Sequence, residues 1–200
     1  MSEFLLKVSM VRSIILDAGV ILMYYRLTSD DENFRNYIMI GYSQEYANKF
    51  DGRSLKDTYQ IVTCKMTVET ESKYPIADFQ SGYLPICSEK TKKALEEICE
   101  KEEVEFLPCY LEGSNEGYYI LNVLGLEDCV DYQKSKFTTF PSNASKIMFF
   151  EHIQFRKEIK RNIFRIKDLP YCHYFINEKT KQKLETSGLA GLLMNNQLFK

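Results

Sequence analysis

Tryptophan is absent from the 200 residues, and histidine occurs only twice, at His152 and His173. No HxxxH and no CxxC is present, so the short ligand spacings by which zinc sites announce themselves are missing. Neither GxGxxG nor GxxxxGK occurs, which removes the usual phosphate cradles. Glycine (9) and proline (5) are sparse, and no linker or low-complexity stretch divides the chain. The most apolar stretch, 14–25, carries Asp17 and falls short of the about 20 residues that span a bilayer. With 26 basic against 28 acidic residues, the chain has no global field to draw in nucleic acid or an anionic membrane. No cofactor, metal, nucleic acid or membrane partner is therefore expected.

Six cysteines are present (Cys64, Cys87, Cys99, Cys109, Cys129, Cys172). A disulfide framework belongs with a secretory leader, and MSEFLLKVSMVRSII shows no basic segment followed by an apolar core and a small-residue cleavage site. We expect a cytoplasmic protein whose thiols are reduced, mostly buried, small apolar side chains. The competing reading is a cysteine-dependent enzyme pairing Cys172 with His152 or His173. Adjacent residues on a strand face opposite ways, so Cys172 and His173 could not serve each other, and nothing local supplies an orienting third group.

Aromatics make up 14%, all Tyr and Phe, and lean toward strands. In IVTCKMTVET (61–70), Val62, Cys64, Met66 and Val68 share one face, with Thr63, Lys65, Thr67 and Glu69 on the other. That period of two marks a sheet with one wet face, the usual antiparallel case. VEFLPCYL and GYYILNVL flank a turn-rich EGSNEG and read as a hairpin, with Pro108 placing its strand at an edge or a bulge. Residues 146–155 alternate again, with Ile147, Phe149, Ile153 and Phe155 on one face. Shorter strands are expected at 163–166, 173–176 and 189–194. The segment 27–56 is polar and turn-rich.

Two helices begin alike: EKTKKALE at 89–96 and EKTKQKLE at 178–185, each soon after a Leu-Pro pair. Ser88 and Asn177 stand where N-caps belong, and Glu89 suits the positive end of the helix dipole. Thr91, Ala94, Leu95 and Ile98 make one apolar stripe, repeated in part by Thr180 and Leu184. Ser187-Gly188 is a stop signal. Two copies are too few for a solenoid, and two similar helix starts are preferred here to a true duplication. The expected fold is α+β, mostly antiparallel sheet with two or three short amphipathic helices. A junction near 74–85 would separate a β-rich half (23–80) from an α+β half (81–200).

Charge is segregated locally. Six glutamates against Lys101 fill 96–105, and six basic residues against Glu158 fill 156–167. Solvated faces explain both runs; the sharper reading is docking by complementary charge, and nucleic-acid binding is the third. Docking candidates are Glu96, Glu97, Glu100, Glu102, Glu103, Arg156, Lys157, Lys160 and Arg161.

An ordered set of short patterns then points outward. YYRL (24–27), the DF of Asp78-Phe79, LPICSEKTKKALEE, VEFLPCYL, YYILNV, IFRIKDLP and HYFINEKTKQKLETSGLAGL together resemble a family of bacterial immunity proteins from polymorphic toxin systems. The family was formerly a domain of unknown function typified by a myxobacterial protein. The resemblance runs from Met23 to the C-terminus and leaves 1–22 as an extension, with Met1, Met10 or Met23 as the start. It implies a cytoplasmic, non-enzymatic antidote that binds the cognate toxin domain of a larger effector. It brings no catalytic motif and no binding residue to carry over; Ile163, Phe164 and Ile166 are expected to pack. A regulatory subunit with a permanent, non-toxic partner is the remaining alternative.

Overall fold

A computed structural model describes residues 14–15, 21–35, 37–40, 43–66, 74–82, 84–112, 114–169 and 173–196. The expectations placed on Met1, Met10, residues 67–70, Pro170 and Cys172 lie outside them. In chain order the elements are β1 (Ile14–Ile15), β2 (Ile21–Leu22), β3 (Tyr24–Ser29), β4 (Tyr37–Met39), α1 (Gln44–Ala47), β5 (Val62–Met66), β6 (Phe79–Gln80) and β7 (Ile86–Ser88). There follow α2 (Glu89–Glu96), β8 (Val104–Leu111), β9 (Tyr118–Val123), β10 (Lys136–Phe140), β11 (Asn143–His152), β12 (Ile163–Phe164), β13 (Tyr174–Asn177), α3 (Glu178–Thr186) and β14 (Leu192–Asn195). They form a six-stranded sheet β4-β5-β8-β9-β7-β6, a four-stranded sheet β12-β13-β3-β14 and two separate pairs, β1-β2 and β10-β11. Among these strands the pairing is antiparallel except between β5 and β8, so the chain is α+β with mostly antiparallel sheet.

The repeated EKTK stretch turns out to occupy one architectural position twice. The order β6-β7-β9-β8 in one sheet matches β12-β13-β3-β14 in the other. In each, the strands before and after the helix flank a central antiparallel strand that opens with Tyr-Tyr: Tyr118-Tyr119 in β9 and Tyr24-Tyr25 in β3. Two similar helix starts are what the local pattern carries; the shared strand order is a tertiary property beyond it.

Each residue of the motif plays the same part in both copies. The Ser88 and Asn177 side chains cap by accepting from the Thr91 and Thr180 amides. The buried Thr91 and Thr180 hydroxyls donate to the carbonyls of Asp78 and Asn162, just ahead of β6 and β12. Those same carbonyls accept from the amides of Ser88 and Asn177. Glu89 and Glu178 accept from the Tyr119 and Tyr25 hydroxyls, while Lys92 and Lys181 lie 4.6 and 5.0 Å over those two rings. Leu95 and Leu184 are buried in the core that both sheets and both helices share. A short repeated motif thus encodes a cap, a strand clamp and a core contact.

Two further cores cover the outer sheet faces. The 46–59 segment, through Tyr46, Phe50, Leu55 and Tyr59, packs on one face of the six-stranded sheet, against Tyr37, Cys64, Leu107 and Ile120. Cys129, Val130, Phe150, Ile153, Phe155 and Ile159 pack on the four-stranded one, against Tyr24, Phe164, Ile166 and Phe175. Ile163, Phe164 and Ile166 are fully buried, as expected of IFRIKDLP.

Three local expectations need correction. Strand β5 is antiparallel to β4 but parallel to β8; its alternating faces look the same in either direction, so the pattern could not tell. Pro108 lies inside the sheet, not at an edge. The β5–β8 register begins at Val62↔Cys109, one residue beyond Pro108, so its missing N–H costs no ladder bond. In β11 the buried side chain is Phe150, while Phe149 is exposed. Register shifts between Thr138 and Thr139 and at two other points insert extra residues, and each insertion turns the following side chains to the opposite face.

The junction between copies leaves no room at Gly191. Its φ is +74°, and an added Cβ would lie 2.5 Å from the Ala77 Cβ and 3.1 Å from the Phe34 ring. Gly191→Ala is expected to destabilise the fold by about 2 kcal/mol, from overpacking together with a left-handed backbone. Urea unfolding measures it, and a loss below about 0.5 kcal/mol would contradict the packing at this contact.

Candidate docking surface

The charged runs meet one another, and their meeting uses up part of each. Arg161 donates to the carbonyls of Glu102 and Leu124 at 3.2 and 3.0 Å and pairs with Glu127 at 3.2 Å. The Asn162 amide donates to the Glu103 carboxylate at 2.7 Å, and its side-chain amide adds a second bond at 3.1 Å. Glu103 also accepts from the Glu100 amide and is only 5% exposed. Its carboxylate closes the turn after α2 and anchors the chain entering β12. Glu105 and Arg165, which swell the two runs in the sequence, are 2% and 1% exposed.

The remaining candidates reach solvent. Glu96 pairs loosely with Lys92 at 3.9 Å, Glu97 pairs with Lys183 of α3, and Glu100 and Glu102 are exposed. Arg156 holds Asp128 at 2.6 Å and Lys157 holds Glu127 at 3.2 Å. Lys160 is exposed and makes no ion pair among the described residues. Exposed pairs of this kind contribute about 0–1 kcal/mol to stability, so the surface they form can be remodelled by a partner at little cost.

The thiols show a different chemistry. Cys64, Cys87, Cys109 and Cys129 are buried and Cys99 is half-buried; all five are free. Burial pushes the Cys99 and Cys129 thiols up to about 12 and Cys87 higher still. The hydrogen bond with Cys64, followed by burial, raises Cys109. The same hydrogen bond lowers Cys64, which is nonetheless fully buried. His173 is driven down to about 4 by burial and by the Arg26 charge, so it is neutral at pH 7 and a weak base. Alkylation of Cys87, Cys99, Cys109 and Cys129 at pH 8 is expected to be slow until the protein unfolds, because the thiolate is the reactive form. Rapid, stoichiometric labelling of any one of them in the folded protein would contradict these environments.

Among the described residues, no group of three His, Cys, Asp or Glu side chains is placed to hold a metal ion, and no helix is long and apolar enough to cross a membrane. A cleft of about 150 Å³ is lined by Tyr46, Phe50, Leu55 and Tyr59 with Lys49, Thr58 and Gln60 at its rim. Ligand sites usually enclose about 300–1,000 Å³, so this one has room for a single side chain of a partner.

Sequence reasoning missed an element that presents three large apolar side chains to solvent. Among the described residues β10 and β11 pair only with each other. From Phe140 through Lys146 every residue is exposed, and Phe140, Met148 and Phe149 present 42%, 38% and 41% of their surface to solvent. The signal was available: FTTFPSNASKIMFF, 137–150, has four phenylalanines, one lysine and no carboxylate. Its alternation reads as an ordinary half-buried strand.

No curated protein matches the chain. A family model does, over residues 23–197, from the start of the Tyr-Tyr strand through the last described strand. The chain belongs to the Immunity protein family (Imm11).

Proposed function

We propose that this immunity protein neutralises its toxin by direct, stoichiometric binding to the toxic domain of a larger effector, and that it does so without catalysis. The observation that carries this reading is the family match across residues 23–197, which takes in both copies of the strand–helix unit. Binding asks for a shaped surface with mobile charges at its rim. Glu96, Glu97, Glu100 and Glu102 on one side, and Arg156, Lys157, Lys160 and Arg161 on the other, supply such charges, Arg161 through the part of its side chain not held by Glu127. Glu103 supports this surface from beneath. Complementary rim charge acts mainly on the rate of encounter and on partner choice.

Expression of the toxic domain of an effector captured with this protein from its native cells, alone and with this protein, tests the reading in cells. Rescue of growth is expected, and it should weaken when Arg156, Lys157 and Lys160 are all reversed to Glu in a protein that still folds. Growth arrest that persists despite full expression of the wild-type chain would overturn it.

A further inference from the structure

We infer that the β10–β11 hairpin is the toxin-docking arm, and that it inserts into an apolar cleft edged by carboxylates on the toxin domain. Three observations converge on it. The first is exposure without a structural use. The base of the arm is fixed, since Phe150 is buried and Phe137 and Ile147 pack beside it. Beyond that base Phe140, Met148 and Phe149 stand in solvent on a ladder whose two outer edges are open among the described residues. A two-stranded sheet is marginal by itself, and large apolar side chains held in water on such an element mark an interaction site. Phenylalanine and methionine suit a docking surface, since interface cores are enriched in both and the thioether adapts to irregular pockets.

The second observation is charge. Between Phe137 and Phe150 the only ionisable side chain is Lys146, which is exposed and makes no ion pair among the described residues. The arm then runs directly into Arg156, Lys157 and Lys160. Of the six cations in residues 134–160, Lys134, Lys136, Arg156 and Lys157 are paired with Asp131, Glu151, Asp128 and Glu127, and Lys146 and Lys160 make no ion pair among the described residues. An apolar tip flanked by the unpaired cations Lys146 and Lys160 fits an apolar cleft with an acidic border.

The third observation discriminates among occupants. A second copy would set one positive arm against another, since a two-fold interface uses the same patch on both subunits. Single-stranded nucleic acid needs cations tracking its backbone beside the stacking rings, and the outer arm has one.

The inference rests on the immunity reading, and the experiment separates the two. The probe is the purified toxic domain of the effector captured with this protein, titrated calorimetrically against the full-length protein. Wild type, a Phe140→Ser/Met148→Ser/Phe149→Ser variant, a Lys146→Glu variant and a control Ile61→Ser/Tyr110→Ser variant are compared. Ile61, just before β5, and Tyr110 of β8 are more exposed than the arm's residues, at 69% and 58%. The triple variant is expected to bind at least about 30-fold more weakly, Lys146→Glu about 5-fold more weakly, and the control within about twofold. A photo-crosslinking residue at position 149 should join the toxin domain, and one at 110 should not; this readout holds even where the triple variant is poorly folded.

A folded triple variant that binds like wild type, or loss of binding in the control instead, would overturn the arm. So would a dimer in sedimentation, or binding of single-stranded RNA, that the triple variant abolishes. Failure of the wild type itself to bind this domain would overturn the immunity reading and the arm with it.

Discussion

Arg165→Ala is expected to lower stability by about 4 kcal/mol, the largest single effect at a polar position in this protein. The guanidinium is 1% exposed and donates to the Phe50 carbonyl at 2.8 Å and to the Val123 carbonyl at 2.7 Å. Phe50 belongs to the layer over the six-stranded sheet and Val123 ends β9, whereas Arg165 follows β12 of the other sheet. One side chain therefore ties three layers together. Bonds to a charged donor contribute roughly 1.5–3 kcal/mol each, and the stranded carbonyls add their own desolvation cost. For a chain of this size the melting temperature should fall by roughly 10 °C. Arg165→Lys keeps the charge but lacks the fork that spans two carbonyls, so about half the loss should remain. Guanidinium unfolding of the two variants measures both numbers; a loss below about 1 kcal/mol for the alanine would show that the layers hold without this tie.

Glu105→Ala should cost about 3 kcal/mol, and the loss should depend on pH. The carboxylate accepts from the Leu55 amide at 2.9 Å, the Lys56 amide at 3.1 Å, the Ser54 hydroxyl at 2.7 Å and the Asn122 amide at 2.8 Å. It thereby pins the 53–56 loop to β8 and β9. Burial pushes its pKa up, but these hydrogen bonds outweigh burial and hold the carboxyl below its ordinary value. A depressed folded pKa gives stability that is fully present above the unfolded value of about 4.3 and is lost as pH falls through the folded value. The wild type should thus lead Glu105→Gln at pH 7, and the gap should close as the pH drops below about 4.3. Several donors sharing one anion are not additive, which is why about 3 kcal/mol is expected and not the sum of single bonds. A gap that is constant from pH 7 to 3 would mean that the charge is not what stabilises the loop.

The elements legible in the sequence were those whose signals are local. Ser88 and Asn177 cap the helices they were assigned, Gly188 sits at φ +61° past α3, and the β8–β9 hairpin falls where its turn residues put it. What failed to show was set by partners far along the chain. Glu103, Glu105 and Arg165 read as members of solvated runs because a charge count has no knowledge of Asn162, Leu55 or Val123. Phe149 and Phe150 exchanged faces because β11 carries bulges opposite β10, and an apolar alternation does not show where a strand bulges. The same blindness hid the arm, whose exposed phenylalanines carry the composition of a core strand. Family membership, by contrast, was legible in the order of short motifs, each weak alone.

The measurement that bears most directly on neutralisation by binding is a titration of the toxin domain's own activity with increasing amounts of this protein. Inhibition that is linear and complete at one molecule per toxin is the predicted result. Full inhibition by far less than one equivalent, deepening with time, would instead reveal turnover and contradict the account.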